Sequence, residues 1–173
     1  MLASPAANSH TFEVTTPSDT EIRMTRLFDA TPALLWEVMT RPEHIRRWWG
    51  NLGDGYSVPV CDVDLRVGGA WRFVNKHPQG EAAFYGVYLE IEAPRRIVFT
   101  EIYEPFPDAE SVVTGHYTEE GRQTRMVATV RYPSKEIRDM VMSTGMATGA
   151  GLSYDRLDDL AIALALQPGT EVQ

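Results

Sequence analysis

Glu101, Tyr103 and His116 are the residues of this 173-residue chain whose types and setting could support proton chemistry. Glu101 and Tyr103 are two apart in a strand-like run, so they share a face with Phe99. A carboxyl held among Phe99, Tyr85 and Trp71 has its charged form disfavoured by desolvation, which moves it toward the range of a working acid or base. The same group serves equally as a polar anchor paired with an arginine or a tyrosine. His116 has the opposite parity to Gly115 and Tyr117, which points it outward or toward a neighbouring strand. No nucleophile, base and orienting group form a set, so no catalytic residue is assigned.

Other reactive types are dispersed. His10, His44, His77 and His116 form no close-spaced pair, so no metal site and no cofactor are expected. The acidic residues Glu101, Glu104, Asp108 and Glu110, interrupted by Pro105 and Pro107, read as a solvated rim loop. Gly68-Gly69 and Gly53-Asp54-Gly55 are turn glycines without the strand-to-helix context of a phosphate loop. The single cysteine, Cys61, excludes an intrachain disulfide and reads as a small buried hydrophobe. A formal net charge of −8, with bases interleaved among acids, argues against a nucleic-acid partner. With no signal-peptide pattern and no apolar run near the roughly twenty residues of a membrane span, a cytoplasmic location without membrane insertion is expected.

Aromatic clustering is the stronger signal. Three of the four tryptophans fall in Arg41–Gly50 and Gly68–Phe73, and large stiff rings suit the wall of a cavity. Any one of them alone reads as ordinary core.

The elements that must hold these residues follow from periodicity. Residues 1–18, rich in Ala, Ser, Thr, Asn and Pro, read as a flexible arm or an added edge segment, residues 19–167 as one domain, and 168–173 as a tail. Thr20 to Asp29 alternates as a first strand, with Ile22, Met24 and Phe28 on one face. Thr31 and Pro32 open a short helix, and Thr40 with Glu43 forms a capping-box pattern that opens a second, ended by Gly50. Six more strands are expected at Val58–Val67, Ala70–Lys76, Ala82–Ile91, Arg96–Tyr103, Ser111–Thr118 and Arg122–Tyr132. Their connections are too short for parallel crossovers, so a seven-stranded antiparallel sheet paired in sequence order is expected. Ser134 then caps a long helical stretch to about Leu166. Gly145, Gly149 and Gly151 predict a kink, a break or a mobile turn within it, a hinge or gate. Asp155, Asp158 and Asp159 read as exposed acidic positions of that helix.

Strand parity assembles a wall. Trp71 and Phe73, then Tyr85, Val87 and Leu89, then Phe99, Glu101 and Tyr103, then Val113, Gly115 and Tyr117, and finally Met126, Ala128 and Val130 are grouped on shared faces. Gly115 and Ala128 leave space among large side chains, which either holds a ligand or is filled by tryptophans of the short helices or by Met142 and Met146. The candidate ligand-binding set is Trp48, Trp71, Phe73, Tyr85, Phe99, Glu101, Tyr103, Gly115, Met126, Met142 and Met146.

The order strand, two short helices, six-strand meander and long terminal helix resembles the α+β helix-grip fold of the START-like, or SRPBCC, superfamily. Within it the chain resembles the branch homologous to the activator of the ninety-kilodalton heat-shock protein ATPase. The resemblance is carried by Thr25–Pro32, Leu35-Trp36, Pro42–Gly50, Asp62–Phe73, Gly86-Val87-Tyr88, Arg96–Thr100 and Thr124-Arg125-Met126, and spans residues 20 to 165. It implies a curved sheet and a long C-terminal helix enclosing a cavity for an apolar or amphipathic small molecule, as in a carrier or sensor. It implies two other readings as well: a co-chaperone-like module that binds a protein partner, or a cyclase or hydrolase using Glu101 and Tyr103. Many relatives are dimers, though no isolated apolar stripe here requires a homodimer. The chain departs from the family pattern at Gly145 to Gly151, where relatives usually continue a more regular helix.

Overall fold

The computed structural model describes residues 8–167. Its strands are β1 (Glu13–Thr15), β2 (Glu21–Phe28), β3 (Ser57–Val63), β4 (Ala70–His77), β5 (Gly80–Glu92), β6 (Arg96–Tyr103), β7 (Ser111–Glu120) and β8 (Gln123–Arg131). They form one antiparallel sheet in the order β1-β2-β8-β7-β6-β5-β4-β3. Pairing in sequence order holds from β3 to β8 but not for β2, which lies against β8 in register from Glu21↔Arg131 to Phe28↔Thr124. The reason is the helical excursion after β2, which carries the chain to the far edge of the sheet before the meander begins.

An eighth strand comes from the segment expected as an arm. Glu13–Thr15 pairs with Thr25 to Arg23 of β2 as a short edge strand, and a 3-10 turn precedes it at Ser9–Thr11. Residues 1–7 and the tail expected over 168–173 lie outside the described residues.

Helix α1 (Pro32–Thr40) starts as its sequence directs, with Thr31 Oγ1 accepting from Leu34 N at 3.3 Å and Pro32 in the first turn. The capping box expected at Thr40 and Glu43 does not form. Thr40 closes α1, its hydroxyl donating to the Trp36 carbonyl at 2.7 Å, and α2 (Pro42–Trp48) starts one residue later with Arg41 as its cap. Pro42 decides this, because the residue before a proline is driven extended and Glu43 then falls one position too early to reach back.

The C-terminal helical stretch is two helices, α3 (Lys135–Ser143) and α4 (Met146–Ala165). Ser134 caps α3, its hydroxyl accepting from Ile137 N at 3.2 Å. The break falls at Gly145, whose φ of 77° is left-handed and favours glycine. Gly149 and Gly151 stay inside α4. At Gly151 a methyl group would stand 3.1 Å from the Phe12 ring, so the glycine admits the N-terminal segment against the helix.

The core lies between the sheet and the helices: Ile22, Met24 and Phe28 of β2, Leu35 and Val38 of α1, Met126 of β8, and Leu157, Leu160 and Ala161 of α4 are all buried. Arg26, on the same face of β2, is fully buried as well. It forms ion pairs with Asp155 and, at 3.5 Å, with Asp158 of α4, and its guanidinium lies 5.3 Å from the Phe28 ring centre. Asp158 also accepts from Asn8 at 3.1 Å and from the Asp29 backbone at 2.8 Å, so β2, α4 and the N-terminal segment converge on one carboxylate. Two of the three aspartates expected to be exposed are therefore engaged, and only Asp159 is exposed. Among the described residues no helix is long and apolar enough to cross a membrane.

Candidate functional site

A cavity of about 690 Å³ lies between the concave face of the sheet and helices α1, α2, α3 and α4. Six strands supply its floor through alternate residues: Met24 from β2, Trp71 and Phe73 from β4, Phe84 and Tyr88 from β5, Phe99 and Glu101 from β6, Gly115 and Tyr117 from β7, Met126 and Ala128 from β8. Trp36, Trp48 and Trp49 close one side, and Val141, Met146 and Tyr154 the other. The exposed members of the lining, Gln79 and Thr144, place the opening between the β4–β5 turn and the junction of α3 with α4.

Of the residues singled out from sequence, Trp48, Trp71, Phe73, Phe99, Glu101, Gly115, Met126 and Met146 line this cavity. Tyr85, Tyr103 and Met142 do not. For Tyr85 the parity of β5 is the reverse of that expected. Ala82, Phe84 and Tyr88 face inward, while Val87 and Leu89, expected beside Tyr85 on the wall, are 38% and 44% exposed. Gly86 sets this: a Cβ there would lie 1.8 Å from the Thr100 carbonyl oxygen and 2.7 Å from Trp71 Nε1. The bare backbone lets the Trp71 indole cross β5 and donate to the Thr100 carbonyl at 3.2 Å.

Tyr103 lies past the mouth, 36% exposed, stacked on Phe84 at 5.0 Å between ring centres and packed beside Phe106. Met142 turns away because the break at Gly145 sets the rotation of α3 independently of α4, so four-residue spacing to Met146 has no meaning across it; Val141 and Thr144 face inward instead. The space expected over Gly115 is partly taken by Tyr117, whose hydroxyl stands 2.8 Å from where a Cβ at Gly115 would be.

Sequence reasoning missed Tyr132, Tyr154, Phe84 and Tyr88 as wall residues. Two had a legible signal. Tyr132 continues the Met126, Ala128, Val130 alternation, and Tyr154 lies one turn before Leu157 on the apolar stripe of α4.

Glu101 is the single carboxylate of the lining, and no Lys or Arg lines it. Its side chain makes no hydrogen bond or ion pair among the described residues, while its backbone pairs with Ser111 of β7 and its carbonyl accepts from Ser111 Oγ at 3.2 Å. Facing the cavity leaves it part-exposed, yet it lies deep in the protein, and desolvation pushes its carboxyl up to about 7. Burial and the nearby Glu101 raise Tyr154 to about 12 and also raise Tyr132, while burial and Tyr154 raise Tyr117. All three phenols are thus uncharged hydrogen-bonding groups at neutral pH.

A carboxyl in that range can take or give a proton, but nothing beside it forms a nucleophile with its base. Ser153 Oγ accepts from Gly50 N at 3.1 Å, and Cys61 lies outside the cavity in a small cluster with Ile45 and Val58, its thiol pushed up to about 11 by burial. His116 is exposed on the outer face. Among the described residues no group of three or more His, Cys, Asp or Glu is placed to hold a metal.

Solved structures share this architecture. A protein from Rhodobacter sphaeroides is 29% identical with a TM-score of 0.80, over 88% of this chain and 99% of that one. A protein from Mycobacterium smegmatis is 26% identical with a TM-score of 0.78, over 88% and 98%. An AHSA1-like protein from Aeromonas hydrophila, 17% identical over 84% and 96%, shares the fold at a TM-score of 0.62. No curated protein matches the sequence. The model of the family described as "Activator of Hsp90 ATPase homolog 1-like protein" matches residues 29–161, from the end of β2 into α4, and the chain belongs to that family.

Proposed function

We propose that this protein binds an apolar or amphipathic small molecule in the cavity between sheet and helices, as a carrier or sensor. The observation that supports this reading most is unfilled volume where a protein interior is normally close-packed. About 690 Å³ lined by aromatic rings and methionines, with an opening at the α3–α4 junction, is the size of a small-molecule site. The break at Gly145, between Thr144 and Met146 of the lining, supplies a hinge for entry.

Native mass spectrometry of protein purified without detergent tests this. A retained mass in one-to-one ratio that is released on denaturation supports the carrier. Uniformly ligand-free protein that also fails to take up an added apolar molecule would remove the reading.

A second reading, a co-chaperone-like module acting on a protein partner, is favoured by the family description and by the exposed apolar side chains Leu65, Val67, Val87 and Leu89 outside the cavity. It predicts a partner whose binding is lost on Val67→Asp with Val87→Asp and is indifferent to filling the cavity.

A further inference from the structure

We infer that the ligand carries a single protonated amine that pairs with Glu101, and that carboxylated molecules of the same shape are rejected. This deepens the carrier reading and rests on it.

The charge inventory of the wall is one-sided. Glu101 supplies the one carboxylate, neither Lys nor Arg contributes, and His77 stands at the rim beside the turn that closes β4 onto β5. A fatty acid with its carboxyl beside Glu101 would bring two acid groups to share a site with no cation to meet either, so that both cannot ionise there. A neutral apolar molecule would leave Glu101 as it is, an acid group without a partner in a desolvated pocket. An ammonium satisfies it, exchanging an unpaired carboxyl for a charge-assisted hydrogen bond. Trp71, Phe99, Tyr132 and Tyr154 line the same volume, and aromatic rings attract a cation that approaches their faces.

The groups facing Glu101 from each packed element agree. β7 brings Ser111 opposite it and Tyr117 farther along, the end of β8 brings Tyr132, α4 brings Tyr154, and β5 brings glycine at Gly86. No cation comes from any of them. Arg26, which acts electrostatically on Tyr154, is committed to Asp155 and Asp158 of α4. Binding an ammonium therefore requires no competing ion pair to be broken.

Ionisation sets the pH response. An ammonium probe keeps its charge well above neutrality, whereas the carboxyl of the empty site ionises near pH 7. Affinity for the amine is expected to rise from about pH 5.5 to about pH 8 and then flatten.

The test uses three probes of one shape, nonylamine, nonan-1-ol and nonanoate, titrated into the full-length protein with tryptophan fluorescence as readout. At about pH 8 the amine is expected to bind about tenfold or more tightly than the alcohol, with nonanoate weakest. Glu101→Gln should remove the advantage of the amine and its pH dependence while leaving the alcohol within about threefold. Alcohol binding that saturates without any preference for the amine, or an amine preference that survives Glu101→Gln, would overturn this inference and leave the carrier standing. Failure of all three probes to bind would overturn the carrier itself. An unfolding curve of Glu101→Gln superimposable on or above the parent's separates lost recognition from lost folding.

Discussion

Two ionisable side chains set into the interior, Arg26 and Glu101, are accommodated in opposite ways. Arg26 is paired: Asp155 and Asp158 reach it from α4, and Asp158 is further held by Asn8 and the Asp29 backbone. Burial pushes the Asp158 carboxyl up in spite of these partners, a sign that the group depends on them to stay charged. Asp158→Ala leaves the guanidinium with one partner and orphans two donors, and is expected to cost about 3 kcal/mol in urea unfolding. A loss below about 1 kcal/mol would mean that the network contributes no more than a surface pair.

Glu101 is unpaired, and its effect on stability has the reverse sign from that of an ordinary salt-bridged acid. Its folded pKa, near 7, lies above the unfolded value of 4.5, so the folded state holds the proton more tightly. Its favourable contribution is fully present below the unfolded pKa and is lost as pH rises through about 7, up to about 3 kcal/mol in all. Glu101→Gln should abolish that decline, so the variant gains on the parent from about pH 4.5 to about pH 7 in parallel denaturant titrations. A constant difference across the range would contradict the placement of the group.

The sequence made Glu101 legible because a carboxyl among aromatics on one strand face stands out locally. Arg26 was passed over. Its alternation with Ile22, Met24 and Phe28 was equally visible, but a lone arginine on an apolar face makes sense only with its partners, which lie 129 and 132 positions away.

Among elements, β5 shows how one glycine fixes an orientation. Tyr85, Val87 and Leu89 make the more apolar alternate set, so parity alone points them inward. Gly86 decides otherwise, because the Trp71 ring needs the space above it to reach Thr100. Gly86→Ala would drive a methyl group into the Thr100 carbonyl and is expected to cost about 3 kcal/mol, with a shifted tryptophan emission as Trp71 leaves its place. Emission and unfolding midpoint both unchanged would show that the indole does not depend on this gap. That the terminal helix is irregular was legible from its three glycines, as a kink, a break or a mobile turn, though which of these it is and where it falls were not. Gly145 alone takes a left-handed φ, while Gly151 answers to Phe12, a contact 139 positions away in sequence that local pattern cannot disclose.

At the scale of the whole molecule, the strands of the meander were legible because each alternates and each ends at a turn residue. The place of β2 was not, since nothing local says that the first long strand pairs with the last. The same pairing helps to shape the cavity. With β2 joined to β8 and α1 and α2 folded over the concave face, the sheet curls around a volume that α4 covers without filling. Tyr117 enters the space expected over Gly115, and about 690 Å³ is left between the aromatic walls.

Calorimetric titration of nonan-1-ol at several temperatures, into the parent and into Ala128→Phe, bears on that volume most directly. Ala128 lies on the cavity floor, where a phenyl ring would occupy the space a ligand needs. One saturable site with a negative heat-capacity change in the parent, absent from a folded Ala128→Phe, is the expected result. Binding that is undetectable in the parent, or equal in both proteins, would contradict it.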